Sequence, residues 1–388
     1  MGRVRRIALL MGQDAEFHRQ VLRGIHAYGL QKRDWVFRDA PAELAIVPVV
    51  REWQPDGIIA HLVDGRFAKQ ILRLGKPVVD TGCVLQGLNV PVVDVDHEAV
   101  GRLAAEHFLE RGYRHYGFYG SGTAYYSRLR EASFRNQIEK AGFTVSSCHV
   151  EYLPRLVGPI SWKRVDQQLR RWLEGLPKPV AILADHDVAA HDLANACQQM
   201  GLRVPEQVAI LGVDNDELEC QLAFPPISSV AIPAERIGYE AAWVLDRMLL
   251  GHPPPAKPLF LPPLRVVARQ STSILAVEDP LVAEALYIIR NNVDRRLKVA
   301  ELANQLVIRR RALEAKFRQI LGRSVLQEIH HARIEYAKQL LSETDWKLAQ
   351  IARRCGFSTP QRLSVVFQKV AGMTPTEYRR QSQLQQRE

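Results

Sequence analysis

The chain has 388 residues, 47% of them hydrophobic and 24% charged, with a formal net charge of +10. That length suits two or three domains, and the composition excludes a disordered or fibrous chain. No apolar run approaches the roughly 20 residues of a membrane span, and Cys83, Cys148, Cys197, Cys220 and Cys355 form no C-x-x-C pair, which argues against a disulfide framework or a zinc knuckle.

The opening MGRVRRIALLMGQDAE is basic and then apolar. Its apolar run is too short for a signal-peptide core, so a strand is predicted there. Arg6 stands where a myristoylation signal needs Ser or Thr. A cytoplasmic protein with no membrane partner is the expectation.

Strand-like and helix-like stretches then alternate. RIALLM precedes EFHRQVLRGIHAYGLQ, and DGIIAHL precedes DGRFAKQILRLG. KPVVDTG and VPVVDVD lead to HEAVGRLAAEHFLERG. YGFYGSG, YYSRLREASFRNQIEKAG, TVSSCHVEY, WKRVDQQLRRWLEGL, PVAILADH, DVAAHDLANACQQMG and VAILGVDND follow. This alternation predicts an α/β fold with doubly wound parallel sheets. Unbroken apolar runs such as AILGV fit strands covered by helices on both faces.

Ligands of such folds bind beyond the C-terminal ends of strands. Asp185 follows VAILA, Asp214 follows AILGV, and Gly120–Gly122 follows YGFY. Each has a plainer explanation, since an Asp after a strand is often a helix cap and GSG is often a turn. Neither G-x-G-x-x-G nor a phosphate-binding G-x-x-x-x-G-K-[ST] occurs, so no nucleotide cofactor is expected. His186 and His191 are five apart and share no helix face, G-x-S-x-G is missing, and no enzyme constellation or metal site emerges.

PVVDVDHEAVGRLAAEHFLERGYRHYGFYGS, AILADHDVAAHDLANACQQMGLRVPEQVAILGVDNDEL and ISSVAIPAERIGYEAAWVLDRML resemble the core of LacI/GalR-type regulators. The likeness runs to LPPLRVVARQST and sets a first domain at residues 1–272. It implies a two-lobed, periplasmic-binding-protein-like fold with a sugar between the lobes. The helix-turn-helix that precedes such cores is not expected here, because the first strand is predicted to start near Arg5. The resemblance implies that Arg130, Asp185 and Asp214 bind the effector. A carboxylate accepts from neighbouring sugar hydroxyls and a guanidinium donates in a fork. Phe17, next to His18 and Arg19, is a candidate for stacking on the sugar, although an aromatic there is commonly core.

A linker is expected at 273–279, where Asp279 and Pro280 read as a cap and first residue of a new helix. Beyond it the charge balance changes. Residues 280–388 hold 20 Lys/Arg and 10 Asp/Glu, leaving 32 of each sign upstream, so the whole basic excess lies in this part. A localised excess suggests a polyanionic partner, nucleic acid first.

The tail also repeats. Leu302, Ala303 and Leu306 correspond to Ile351, Ala352 and Cys355, and Leu313, Phe317 and Gly322 to Leu363, Phe367 and Gly372. Each unit, about 299–320 and 347–370, has the apolar period of two helices around a tight turn. Gly356 suits the second turn, and Val307 stands in its place in the first. A plain hairpin repeat fits as well, but Arg309–Arg311 and Gln361–Arg362 open the second helices, where helix-turn-helix proteins read base edges.

IARRCGFSTPQRLSVVFQKVAGMTPTEYRR resembles the AraC/XylS signature, and residues 280–388 form its all-α double helix-turn-helix domain. The resemblance implies double-stranded operator or promoter DNA as partner. Arg309 replaces the family's Ser cap, and Ala315 and Val365 stand where members present base-reading residues. Readout then falls to Arg311, Glu314, Gln361 and Arg362, with Arg310 and Thr359 near backbone or bases. Lys316, Lys369, Arg318 and Arg379 are expected at phosphates or solvent.

A LacI-like core followed by an AraC-type domain resembles the regulators of xylose operons. It implies D-xylose as the small effector, activation of xylose-utilisation genes, a homodimer and contact with RNA polymerase, with no cofactor. A regulator of another monosaccharide is the alternative, a transport-type sugar-binding protein without DNA is a different class, and an enzyme is third.

Overall fold

The computed structural model describes residues 4–12, 15–32, 34–150, 162–273, 277, 279–344 and 346–385. It divides into two units, Met1–Ile274 and Leu275–Glu388.

In the first unit β1 (Arg5–Leu10), α1 (Glu16–Lys32), β2 (Trp35–Ala40), α2 (Val47–Trp53), β3 (Gly57–Ala60), α3 (Gly65–Leu72) and β4 (Val78–Asp80) build one lobe. Its sheet has the order β2-β1-β3-β4, with every pairing parallel. The short β5 (Val93–Val95) leads to the other lobe. There follow α4 (His97–Leu109), β6 (His115–Ser121), α5 (Tyr125–Lys140), β7 (Val145–Val150), α6 (Trp162–Gly175), β8 (Val180–Ala184) and α7 (Asp187–Gln199). β9 (Val208–Asp214), α8 (Glu217–Leu222) and β10 (Ser228–Ala231) complete this passage.

The chain then returns. α9 (Ala234–Leu249) packs along α1, and β11 (Leu259–Leu261) pairs with β5. β12 (Arg265–Val267) re-enters the second sheet antiparallel to β10, giving the order β12-β10-β9-β8-β6-β7. Repeated crossing between two sheets is what leaves a cleft lined by strand ends.

Local chemistry explains the elements. All five residues of β8 are buried, as an unbroken apolar run on a two-sided sheet requires. Helices begin where short acids can cap them: Asp64 accepts from the N–H groups of Arg66 and Phe67, and Asp96 from that of Ala99. The sequence periodicity passed over β2, α2 and α8. β2 is an edge strand with one buried residue of six, and α2 and α8 are too short to show a helical period. The strand expected through TVSSCHVEY ends at Val150, and its last two residues lie outside the described ones, as do linker residues 274–276 and 278.

The second unit holds only helices among its described residues. They are α10 (Pro280–Arg290), α11 (Val299–Gln305), α12 (Arg310–Leu321), α13 (Val325–Glu343), α14 (Leu348–Arg354), α15 (Pro360–Ala371) and α16 (Pro375–Gln385). Asp279 caps α10 through the N–H groups of Leu281 and Val282, with Pro280 in the first turn. The repeat is real in space. Leu302, Leu313 and Phe317 are fully buried, and so are Ile351, Leu363 and Phe367. Both turns are left-handed, with φ 52° at Val307 and 67° at Gly356. A Cβ at Gly356 would lie 2.6 Å from the carbonyl oxygen of Arg295, so only glycine fits. Val307 carries its Cβ because it is 93% exposed.

Candidate functional site

Three strand ends of the second lobe bring their polar residues together. Asp185, directly after β8, is fully buried. Its Oδ2 accepts the backbone N–H of Ser121 at 2.8 Å, and its Oδ1 lies 2.5 Å from Nδ1 of His186. Gly120 makes room, since a Cβ there would lie 2.5 Å from Cγ of Asp185. That close approach, rather than a turn, explains the first glycine of GSG. Burial opposes the charge on Asp185, but the attraction and hydrogen bond of His186 and the Ser121 N–H outweigh it and lower the pKa. The same pairing raises the pKa of His186 against its burial.

Arg130, on the first turns of α5, is 4% exposed. Nη1 donates to the carbonyl oxygen of Asp185, and Nε donates to Nδ1 of His97 at 3.3 Å. The guanidinium carbon lies 5.1 Å from the centre of the Tyr126 ring. Nη2 stands 3.7 Å from Oδ1 of Asp214. Asp214 ends β9 at φ 105°, followed by Asn215 at φ 57°. Two successive non-glycine residues at positive φ store backbone strain of about 1–3 kcal/mol each. Asn215 is held there by Arg269, whose Nη2 donates to its Oδ1 at 2.8 Å. Burial raises the pKa of Asp214 to about 6, with Arg130 and His186 pulling the other way. Arg130, Asp185 and Asp214, predicted together from sequence, thus meet in one cluster.

The first lobe faces this cluster with its own strand ends. The loop after β4 reaches α5: the carbonyls of Val84 and Cys83 accept the N–H groups of Tyr125 and Tyr126 at 2.9 and 3.0 Å. Asp80 is buried and accepts from the N–H groups of Leu62 and Gly82, and burial lifts its pKa to about 7. At the start of α1, Phe17, His18 and His61 form an aromatic group, with His18 and His61 ring centres 4.8 Å apart. Phe17 and His18 are half-buried there. Arg19 is instead tied to Glu16, its Nε 2.8 Å from Oε2. The backbone N–H of Glu16 crosses to Oδ2 of Asp216 at 3.2 Å.

Sequence reasoning missed His61, His97 and Tyr126. His61 follows β3 just as Asp185 follows β8, so the strand-end rule could have found it. His97 and Tyr126 sit inside helical stretches, where only packing reveals that they meet Arg130.

In the second unit Arg310, Arg311, Gln361, Arg362 and Lys369 are exposed. They lie on α12 and α15, the second helix of each repeat. Thr359 caps α15, accepting the N–H of Arg362 at 3.2 Å, whereas Arg309 at the start of α12 makes no side-chain cap. Glu314 and Lys316 are half-buried. Glu314 accepts the N–H of Val325 at 3.3 Å, and Lys316 forms an ion pair with Asp279. The expectation for Arg379 needs correcting. It donates to the carbonyls of Leu341, Thr344 and Trp346, satisfying the C-terminal end of α13 rather than meeting phosphate or solvent.

Comparison with known proteins agrees with this architecture. A periplasmic binding protein-like domain matches residues 105–272, and a helix-turn-helix domain matches 302–381. The xylose operon regulatory protein of Escherichia coli K12 is 30% identical over 382 residues, covering 96% of each chain. That of Haemophilus influenzae is 30% identical over 383 residues, covering 96% of this chain and 98% of its own. The solved structure of a xylose-binding transcription activator, xylR, superposes with a TM-score of 0.81 at 28% identity over 97% of both chains. A cellobiose complex of the regulator CelR shares the fold of the core, with a TM-score of 0.58 at 22% identity over 69% of this chain and 85% of its own. With relatives 30% identical over 96% of its length, this chain belongs to the family of xylose operon regulatory proteins, which are DNA-binding transcription regulators and not enzymes.

Proposed function

We propose that the chain is a D-xylose-dependent activator of xylose-utilisation genes. The observation that carries this is the gap between Arg130 and Asp214. At 3.7 Å the two are too far apart to hydrogen-bond, and a sugar hydroxyl between them can accept from one and donate to the other. Asp185 and His186 complete the polar wall, and Phe17 with His18 offers an apolar face. A small pentose suits a site this tightly furnished.

Sugar bound between the lobes favours the state in which both contact it, and that preference shifts the population. The shift passes along the chain at 273–279 to the DNA-binding unit. There Arg311 and Arg362 address guanine edges, Gln361 an adenine, and Arg310 and Lys369 the phosphates. Glu314, Lys316 and Thr359 set the frame of those helices. α13 has 19 residues, or about 28 Å at ~1.5 Å per residue, close to the ~34 Å of one DNA turn. The two repeats then read successive major grooves. The active species is a homodimer acting with RNA polymerase on promoter DNA in the cytoplasm, since paired half-sites favour two-fold symmetry.

A thermal-shift screen with pentoses and hexoses tests the effector. D-xylose should raise the melting temperature most, and should change affinity for promoter DNA upstream of xylose genes. If a hexose stabilises the chain and D-xylose does not, the effector is another sugar.

A further inference from the structure

We infer that His97, anchored by Asp94, is the positioning residue that aims Arg130 at the effector. This rests on the reading of Arg130 as an effector ligand and adds the device that holds it in place.

Three observations support the inference. First, Asp94, His97 and Arg130 are all at least nine-tenths buried and lie in a chain of contacts. Nε2 of His97 is 3.2 Å from Oδ2 of Asp94, and Nδ1 is 3.3 Å from Nε of Arg130. The other carboxylate oxygen of Asp94 accepts the N–H of Val95 at 2.7 Å, which fixes the carboxyl on its strand. Second, the chemistry admits one arrangement. Arg Nε–H can only donate, so Nδ1 must carry the lone pair and the ring hydrogen sits on Nε2, facing Asp94. Asp94 therefore selects the tautomer that can receive the arginine. Burial, with Arg130 adding to it, holds the pKa of His97 below its ordinary value despite Asp94, which keeps the ring neutral. Third, the rest of Arg130 is occupied in a way that leaves one edge over. Nη1 is spent on the Asp185 carbonyl and the face rests on Tyr126, so fixing Nε at His97 leaves Nη2 directed toward Asp214. A long, flexible side chain loses rotamer freedom when ordered. Here that ordering precedes ligand binding.

Cys83, Asp94 and His97 also present ligand atoms within 4.8 Å of one another, as a metal site would. The surroundings oppose that reading. A cation at Nε2 would force the proton to Nδ1, against the Arg130 N–H, and would sit beside a guanidinium. Burial and the neighbouring carboxylates also push the Cys83 thiol up, away from the thiolate a metal needs.

The test compares H97Q with H97M in the full chain, by calorimetric titration with D-xylose. Both side chains fill the site, and only glutamine keeps an acceptor for Arg130 and a donor for Asp94. H97Q should bind within about threefold of the unaltered chain, and H97M, titrated well below its own melting temperature, at least about tenfold more weakly. Equal affinities of H97Q and H97M would overturn the inference. R130A separates this from the underlying reading. If R130A binds D-xylose as well as the unaltered chain, the effector role of Arg130 is wrong. If R130A loses binding while H97M keeps it, only the positioning role is.

Discussion

Nη2 of Arg130 stands 3.7 Å from Oδ1 of Asp214, each brought by a different strand-helix unit of the same lobe. The pair attract without closing, and 22% of the Asp214 side chain is exposed. Burial lifts its pKa to about 6 from an ordinary 3.8. Its contribution to folding is therefore full below about 3.8 and is lost as pH rises through about 6. At neutral pH Asp214 is a carboxylate, to which sugar hydroxyls would donate.

Sugar binding should accordingly weaken as pH falls through about 6, and binding near that pH should release a proton. Calorimetry in two buffers of different ionisation enthalpy measures the release. D214A should weaken binding at least about tenfold, since a hydrogen bond to a charged group contributes roughly 1.5–3 kcal/mol. An unchanged affinity in D214A would take Asp214 out of the site.

The two left-handed turns of the DNA-binding unit should respond in opposite directions. V307G relieves a β-branched residue at φ 52°. It should stabilise the unit by about 0.5–1 kcal/mol, because the left-handed penalty of ~1–2 kcal/mol exceeds the entropy cost of glycine. G356A should destabilise it by about 1–3 kcal/mol through strain at positive φ and collision with the Arg295 carbonyl. Thermal unfolding measures both, and a loss of stability in V307G would contradict the account of the first turn.

A fragment starting at residue 275 should fold and bind promoter DNA without sugar, because the whole basic excess lies beyond it. Its affinity should fall steeply with salt, with a log–log slope near −0.9 per phosphate contacted. A fragment whose binding ignores salt would contradict the assignment of Arg310 and Lys369 to phosphates.

R311A and R362A should each relax base preference only within their own sub-site, at roughly 1–3 kcal/mol. K369A should weaken all sequences alike and flatten the salt dependence. R379A should behave differently from all three and lower the melting temperature, because it leaves the carbonyls of Leu341, Thr344 and Trp346 unsatisfied. Binding to a panel of promoter variants separates these outcomes. Loss at the same base pairs in R311A and R362A would rule out reading of successive grooves.

Much of this protein is legible in the linear chain. Apolar runs such as VAILA declare strands covered on both faces, and Asp185 and Asp214 stand directly after such runs, so their place at strand ends follows from backbone continuity alone. The spacing of Leu313 and Phe317 against Leu363 and Phe367 likewise declares a repeated helix pair, because a helix must turn one face to a core. What the chain by itself leaves open is which polar group meets which. His97 and Arg130 are 33 positions apart, and Lys316 and Asp279 are 37 apart. Periodicity marks the face a side chain occupies and carries no record of the distant partner on the facing element. Tertiary packing decided that Glu314 accepts the N–H of Val325, that Lys316 pairs with Asp279 and that Arg379 closes a helix end. It also decided that the buried ring of His97 meets Nε of Arg130, since each outcome depends on donors and acceptors brought within about 3 Å by burial of the apolar faces.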